Sequence, residues 1–431
     1  MTPVRPALLL ACAALAAGSV KLMSSADTEW PESPRGAQVA QPAEVEDGSV
    51  VRRESVVTPV GVVDVSRALF EQACRALEEG AIDNADATAA RLHVVAPGRP
   101  EVGMLAALIS QRRQSPDGNW VVAFVRAWNA AGRPNLQDST LLPVEESDDE
   151  GAGSGLDWVR TTKADARLVV ALAGGLLDEG QQRWLASHIS EVSNPVLLRA
   201  AFEYFQGDAL VPEVRGDALA VLRPRLVHLS RVVPTEMQTP LILLLQGRAL
   251  DAPMTTGELE DLERVASLPD YRVTPLVQMH SEAEQLLKSM GVGRPELRAF
   301  SVSVSELALT GPYLLWRRAE MVGDTLSSPD RARLGHVLWD IGKRVAEEST
   351  LVERMVGLRL MRQGAELLNS SEMLKQVALA TQQGKQVAGV SSALQFARWP
   401  LPSLQRAWLA ATLENEWVHL QSVGAPSGDG M

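Results

Sequence analysis

Between Leu156 and about Val423, no stretch alternates apolar and polar residues for more than five positions. Apolar residues instead recur every three or four positions. Alternation is what a half-buried strand requires, whereas a period near 3.6 buries one stripe of a helix. This confines the chain to an all-α fold. Pro, Gly, Asp and Ser cut it into expected helices at 156–177, 180–189, 195–206, 213–222, 236–248, 257–267, 272–290, 295–309, 329–347, 350–368, 371–384 and 402–421. Ser328-Pro329 reads as a helix start, with serine as cap and proline in the first turn. Leu334, Val337, Leu338, Ile341 and Val345 then form one apolar stripe, and Leu351, Met355, Leu358, Met361 and Leu367 line the next. Short connections between so many helices favour an array of helical hairpins or an α/α superhelix.

The same period starts earlier, at Asp64, which reads as an N-cap. Leu69, Ala73, Ala76 and Leu77 share a face before Gly80. Ile82, Ala85, Ala89 and Leu92 follow on a second stripe, a third helix covers 101–113, and a fourth covers 119–131 with Trp120, Phe124 and Trp128 four apart. The pattern Leu77-x-x-Gly80-x-Ile82-x-x-Ala85-x-x-x-Ala89-x-Arg91-Leu92, followed by Pro97 and Pro100-Glu101, resembles a tetratricopeptide repeat. The resemblance covers about residues 69–105, lacks the family's large aromatic residues in the first helix, and has no second copy at the expected period. It implies a helical unit, residues 63–133, that presents a protein-interaction surface. A generic alanine-packed hairpin reads the same residues equally well.

The N-terminal segment reads as a targeting signal. After Arg5, the run from Pro6 to Val20 carries no charge until Lys21. That length suits the core of an export signal better than a spanning helix, which needs about 20 apolar residues. Residues 1–26 are therefore expected to be a signal peptide or a membrane anchor. Leu9-Leu10-Ala11-Cys12 also resembles a bacterial lipoprotein lipobox, which implies lipidation at Cys12. Residues 27–62, with Pro31, Pro34, Pro42 and Pro59, read as a disordered tether in which Val56 to Val65 is an interrupted strand candidate. Residues 134–155 read as an acidic, Gly-rich linker built on Glu145-Glu146-Ser147-Asp148-Asp149-Glu150, residues 156–423 as the main helical domain, and 424–431 as a disordered tail.

Little in the sequence points to chemistry. A net charge of −12 argues against nucleic acid as a partner. Two cysteines exclude a disulfide framework and a thiolate zinc site. There is no phosphate-binding loop, dinucleotide fingerprint or serine elbow. His93, His188, His228, His280, His336 and His419 are at least 40 residues apart, so none pairs on a helix face as a zinc motif requires. Cys74 reads as a small apolar core residue, the alternative being a reactive thiol lowered by the neighbouring Arg75.

Glu348-Ser349, followed by Gly357-Leu358 and Leu360-Met361, superficially resembles the Glu-Ser and Gly-Leu-Met-Gln segments of exported cell-wall lytic enzymes. The spacing is short, and Arg359 and Arg362 depart from the pattern. That resemblance implies Glu348 as a general acid on the floor of a cleft. The alternative is a helix junction with Thr350 as cap. Leu404, Trp408, Leu409, Leu413 and Trp417, preceded by Trp399, form either a ligand groove or a core stripe.

No catalytic, cofactor-binding or metal-ligating residue is assigned, and no cofactor is expected. The reading is an exported, periplasmic or membrane-anchored helical scaffold or adaptor that binds a protein partner and meets the membrane only through its N-terminal segment. The alternatives are a cell-wall hydrolase and a helical ligand-binding protein.

Overall fold

The computed structural model describes residues 60–143, 162–173, 177–206, 210–293, 295–307 and 309–424. The described residues are α-helical with short 3-10 turns, and their β-pairing is limited to a bridge between Glu236 and Asp270. The all-α expectation holds. The signal segment, Cys12, most of the tether, the acidic run and the tail lie outside the described residues. Among the described residues, no helix is long and apolar enough to cross a membrane.

The chain divides into two compact units, and of the described residues the smaller contains 60–143 together with Ser391–Trp408. Its helices are α1 (Val60–Glu78), α2 (Ile82–Val95), α3 (Pro100–Gln114) and α4 (Trp120–Ala130). Helix α1 begins four residues before Asp64, so Asp64 lies inside it and is not its cap. It also takes up the end of the strand candidate, since residues 60–65 are helical. Gly80 ends α1 at φ +75°, a conformation that glycine adopts without steric cost, and so turns the chain into α2. Asn119 caps α4 by accepting from the Val121 and Val122 amides.

Two departures from the sequence reading concern this unit. Leu136, Leu141 and Leu142 are buried, so packing continues to residue 143, into the stretch read as linker. Residues 391–408, read as part of the main domain, complete this unit's core. Trp399 is fully buried, with its ring 5.3 Å from Phe70 and 5.2 Å from Phe124. Arg398 ties the two stretches by donating to the carbonyls of Gln137, Ser139, Leu142 and Pro143. No local pattern at 391–408 announces these partners, because they are more than 250 residues away in sequence.

The larger unit begins with α5 (Ala164–Leu172), α6 (Glu179–Ser187), α7 (Pro195–Tyr204) and α8 (Pro212–Val232). Helix α8 was expected to stop at 222. It instead runs through Pro224, where burial of Leu222, Leu226 and Leu229 offsets the lost hydrogen bond. Helices α9 (Gln238–Leu245), α10 (Thr256–Ala266), α11 (Leu276–Ser289) and α12 (Pro295–Ser305) follow. Next is α13 (Thr310–Val322), which the sequence reading missed because Gly311-Pro312 looks like a breaker. Proline in a first turn gives up no intrahelical bond, and Gly311 lets α13 approach Leu241 and Ile242 closely.

Helices α14 (Ser328–Ala346) and α15 (Leu351–Leu367) form the tightest pair. The cap of α14 is Ser327, one residue before the serine expected, accepting from the Asp330 amide. Thr350 caps α15 as expected, accepting from the Glu353 amide. Gly342 faces Gly357, and Gly335 faces Gly364, in antiparallel register. Each glycine sits where a Cβ would meet backbone of the opposite helix at 2.4–3.1 Å. Helix α16 (Ser371–Leu394) outlasts its expected end, and α17 (Pro402–Gly424) breaks at Asn415, whose side chain accepts from the Val418 amide and restarts the helix. These last two helices pass from one unit's residues to the other's.

Three ion pairs are buried in the larger unit: Arg199 with Glu236, Arg272 with Glu353, and Arg318 with Glu258. At Arg272 and Arg318 the planar guanidinium meets the carboxylate with two bonds, a geometry that lysine does not offer.

Candidate functional site

The connection from α10 to α11, residues 267–275, is not helical. It is held in place by backbone pairing, with the Met237 and Gln238 amides donating to Asp270 and Tyr271 and the Asp270 amide donating to Thr235. Tyr271 and Arg272 point inward, at 1% and 7% exposure. Val273 and Val277 point outward, at 43% and 51%. Pro269 and Pro275 bracket the segment and keep it extended.

Arg272 is the centre of a buried charge cluster. Its Nε and Nη2 donate to the two Glu353 oxygens at 2.9 and 3.1 Å, and Nη1 donates to the Thr274 carbonyl at 2.7 Å. Glu348 lies 3.0 Å from Nη2 as a second carboxylate. Behind them, the Glu416 carboxylate accepts from the Leu351 amide at 2.7 Å. Thr350 donates its hydroxyl to Glu353 at 2.7 Å, closing the α15 cap onto the cluster. Two carboxyl groups, Glu348 and Glu353, therefore share one guanidinium. Burial, the largest cause, pushes Glu348 and Glu416 up to about 7.

Arg272 and Glu348 line a cleft of about 410 Å³. Its walls include Asp270, Arg272, Val277, Glu348, Glu414 and Asn415. The kink at Asn415 matters here, because it turns α17 so that Glu414 and Asn415 face the cleft. Arg344 on the rim is engaged with the carbonyls of Pro269 and Asp340.

Glu348, the residue singled out from the sequence, is thus in a cleft beside hydrogen-bonding groups. The rest of the lytic-enzyme resemblance serves packing: Gly357 lies against Ala346 and Gly342, and Leu358, Leu360 and Met361 are buried. Trp399, Trp408 and Trp417 are buried at 0%, 1% and 8%, so they are core residues and line no open groove. Arg354 stacks on Trp417 at 4.0 Å. Cys74 is fully buried, as the core reading expects. Burial, reinforced by Glu71 and Glu78, pushes its thiol well above the usual range, against the lowering expected from Arg75. Among the described residues, no group of three or more His, Cys, Asp and Glu is placed to hold a metal ion. Arg272 and Glu416 were missed because their partners are 65 to 81 residues distant. The Thr350-x-x-Glu353 capping signature was the one local sign of the cluster.

The buried carboxyls give the larger unit a pH dependence. Burial raises Glu306 to about 8 and holds Glu348 and Glu416 near 7, all above the unfolded value of 4.5. Groups raised in the folded state contribute stability below their unfolded value and lose it as pH rises through the folded one. His419, lowered from 6.5 by burial, acts in the opposite direction under that pH. The exposed Glu263–Arg333 pair adds little, because solvent screens it. Calorimetry is therefore expected to show a melting temperature roughly 5 °C or more higher at pH 6.5 than at pH 8.5. A flat or rising profile over that window contradicts the assignment.

Compared with family models, curated proteins and solved structures, the chain matches none.

Proposed function

We propose that this protein is an exported, envelope-associated helical adaptor that binds a partner protein, and that the Arg272 cleft is the docking place. The observation that carries the reading is a concave surface with an apolar lip, formed by Val273 on a loop that a buried ion-pair network holds still and by Val277 in the first turn of α11. Preorganisation of this kind lowers the entropic cost of association. The export component rests on the sequence of residues 1–26. The adaptor component agrees with the tetratricopeptide-like pattern at residues 69–105.

Affinity purification of the full chain from membrane and soluble envelope fractions tests both components. The expected result is recovery in the envelope with a co-purifying protein in near-stoichiometric amount. Purely cytosolic recovery contradicts export, and recovery without any associated protein contradicts the adaptor role.

Glu348 supports a second reading. A cleft carboxyl near 7 is suited to donating a proton, as a cell-wall hydrolase requires. Its pairing with Arg272 favours the first reading, since the guanidinium already occupies the carboxylate. Incubation with purified peptidoglycan separates the two. Soluble fragments released by the natural chain and not by Glu348→Gln would establish the hydrolase, and no release is expected.

A further inference from the structure

We propose that the Arg272 cleft recognises a cationic side chain, an arginine or lysine flanked by apolar residues, presented by the partner protein. The inference rests on the adaptor reading above and names the chemistry that the partner brings.

Three features of the cleft point the same way. The first is charge imbalance. Arg272 is one guanidinium shared by two carboxyls, Glu348 and Glu353, and its donors are already committed to them and to the Thr274 carbonyl. A cation entering beside Glu348 supplies the second positive charge that these carboxyls lack. Burial already holds Glu348 partly protonated near neutrality, so the approaching cation recruits its charged form.

The second feature is the disposition of exposed carboxylates. Asp270 and Glu414 are exposed on the rim, Glu347 joins them from the end of α14, and all three line the same cleft as Glu348. Glu347 reaches Lys343 only at 4.0 Å, at an exposed position where such a pair is weak. Arg344, the remaining rim cation, is engaged with the Pro269 and Asp340 carbonyls.

The third feature is the lip. Val273 and Val277 are about half exposed on the same wall, placed to cover the methylene stem of a long cationic side chain or its apolar neighbours. Arginine and lysine carry a charged head on an apolar stem, and a cleft with an apolar lip and an acidic floor complements both parts.

The experiment uses the full chain and two pentapeptides, Gly-Val-Arg-Val-Gly and the same sequence with citrulline in place of arginine, each carrying a neutral dye. Citrulline keeps the shape, exchanges one amino donor for a carbonyl acceptor and removes the charge. In fluorescence anisotropy the arginine peptide is expected to bind about tenfold or more tightly than the citrulline peptide. Glu348→Gln and Glu414→Gln are each expected to weaken it about five- to tenfold. Glu414 is exposed, so its variant tests the idea even where Glu348→Gln disturbs the buried cluster. Glu213→Gln, an exposed change on α8, controls for the general attraction of a chain with net charge −12 and should leave binding unchanged.

Equal binding of the two peptides overturns the inference. So does an equal loss in Glu213→Gln and Glu414→Gln. Envelope recovery and a co-purifying protein are read separately, so this result leaves the adaptor reading to its own test.

Discussion

Arg318→Met is expected to destabilise the larger unit by about 3–5 kcal/mol, enough to leave much of it unfolded at 37 °C. Arg318 is 2% exposed. Its Nε and Nη2 donate to the Glu258 oxygens at 2.5 and 2.8 Å, and its Nη1 donates to the carbonyls of Ala249, Leu250 and Ala252 at 2.8–3.1 Å. It therefore supports a whole connection, residues 249–253, as well as one ion pair. Methionine matches the length of the stem and supplies no donor. It leaves a buried carboxylate whose remaining cation, Arg248, is 39% exposed and 3.3 Å away. Urea unfolding followed by circular dichroism measures the loss. The double variant Arg318→Met/Glu258→Leu should recover part of it, because removing both charges is less costly than stranding one. A loss under 1 kcal/mol in the single variant would show that the connection is held by other means.

Gly357→Ala is expected to cost about 3 kcal/mol, at the upper end of what overpacking imposes. A Cβ at 357 would lie 2.4 Å from the Ala346 nitrogen and the Gly342 oxygen, and 2.8 Å from the Ala346 Cα. These are backbone atoms in the middle of a helix, so no rotamer change relieves the clash and α14 and α15 must separate. Separation also loosens Leu338, Ile341, Val345 and Leu360, all fully buried in or beside the pair. Gly342→Ala should behave alike, with contacts at 2.7–2.9 Å. Gly389→Ala is the control. Nothing lies within 4 Å of its Cβ, and helix propensity alone predicts a gain of about 0.5–1 kcal/mol. If all three variants melt together, close packing is not what pairs these helices.

The contrast between these glycines marks where sequence reading stops. Helix periodicity depends on neighbours three and four residues apart, so the stripes of α14 and α15 were legible, as was the Thr350 cap. Gly335, Gly342, Gly357 and Gly364 fall every seven residues within each helix, yet their meaning lies in the facing helix. The missed α13 has a local cause: Gly311-Pro312 carries the chemistry of a break and sits instead in a first turn, where that chemistry is harmless. Trp399 looked like a possible groove residue because its spacing says nothing about Phe70 and Phe124, which enclose it.

At the candidate site, Glu348 was singled out on a dipeptide resemblance. The structure returns it to attention for a different reason, its place in a cluster assembled from the 267–275 connection, α15 and α17. Arg272 and Glu416 carry no local signature. Ion pairs between distant residues are a property of the fold, and a single chain's composition does not reveal which arginine is buried.

The central claim is that the Arg272 cleft is a protein-docking surface. Site-specific photo-crosslinking in intact cells tests it most directly, with a photoreactive residue placed at Val277 on the cleft lip or at Val232, which is 62% exposed at the end of α8. The account predicts a discrete higher-mass adduct from position 277 and none from 232. No adduct from 277, or the same adduct from both positions, would contradict it.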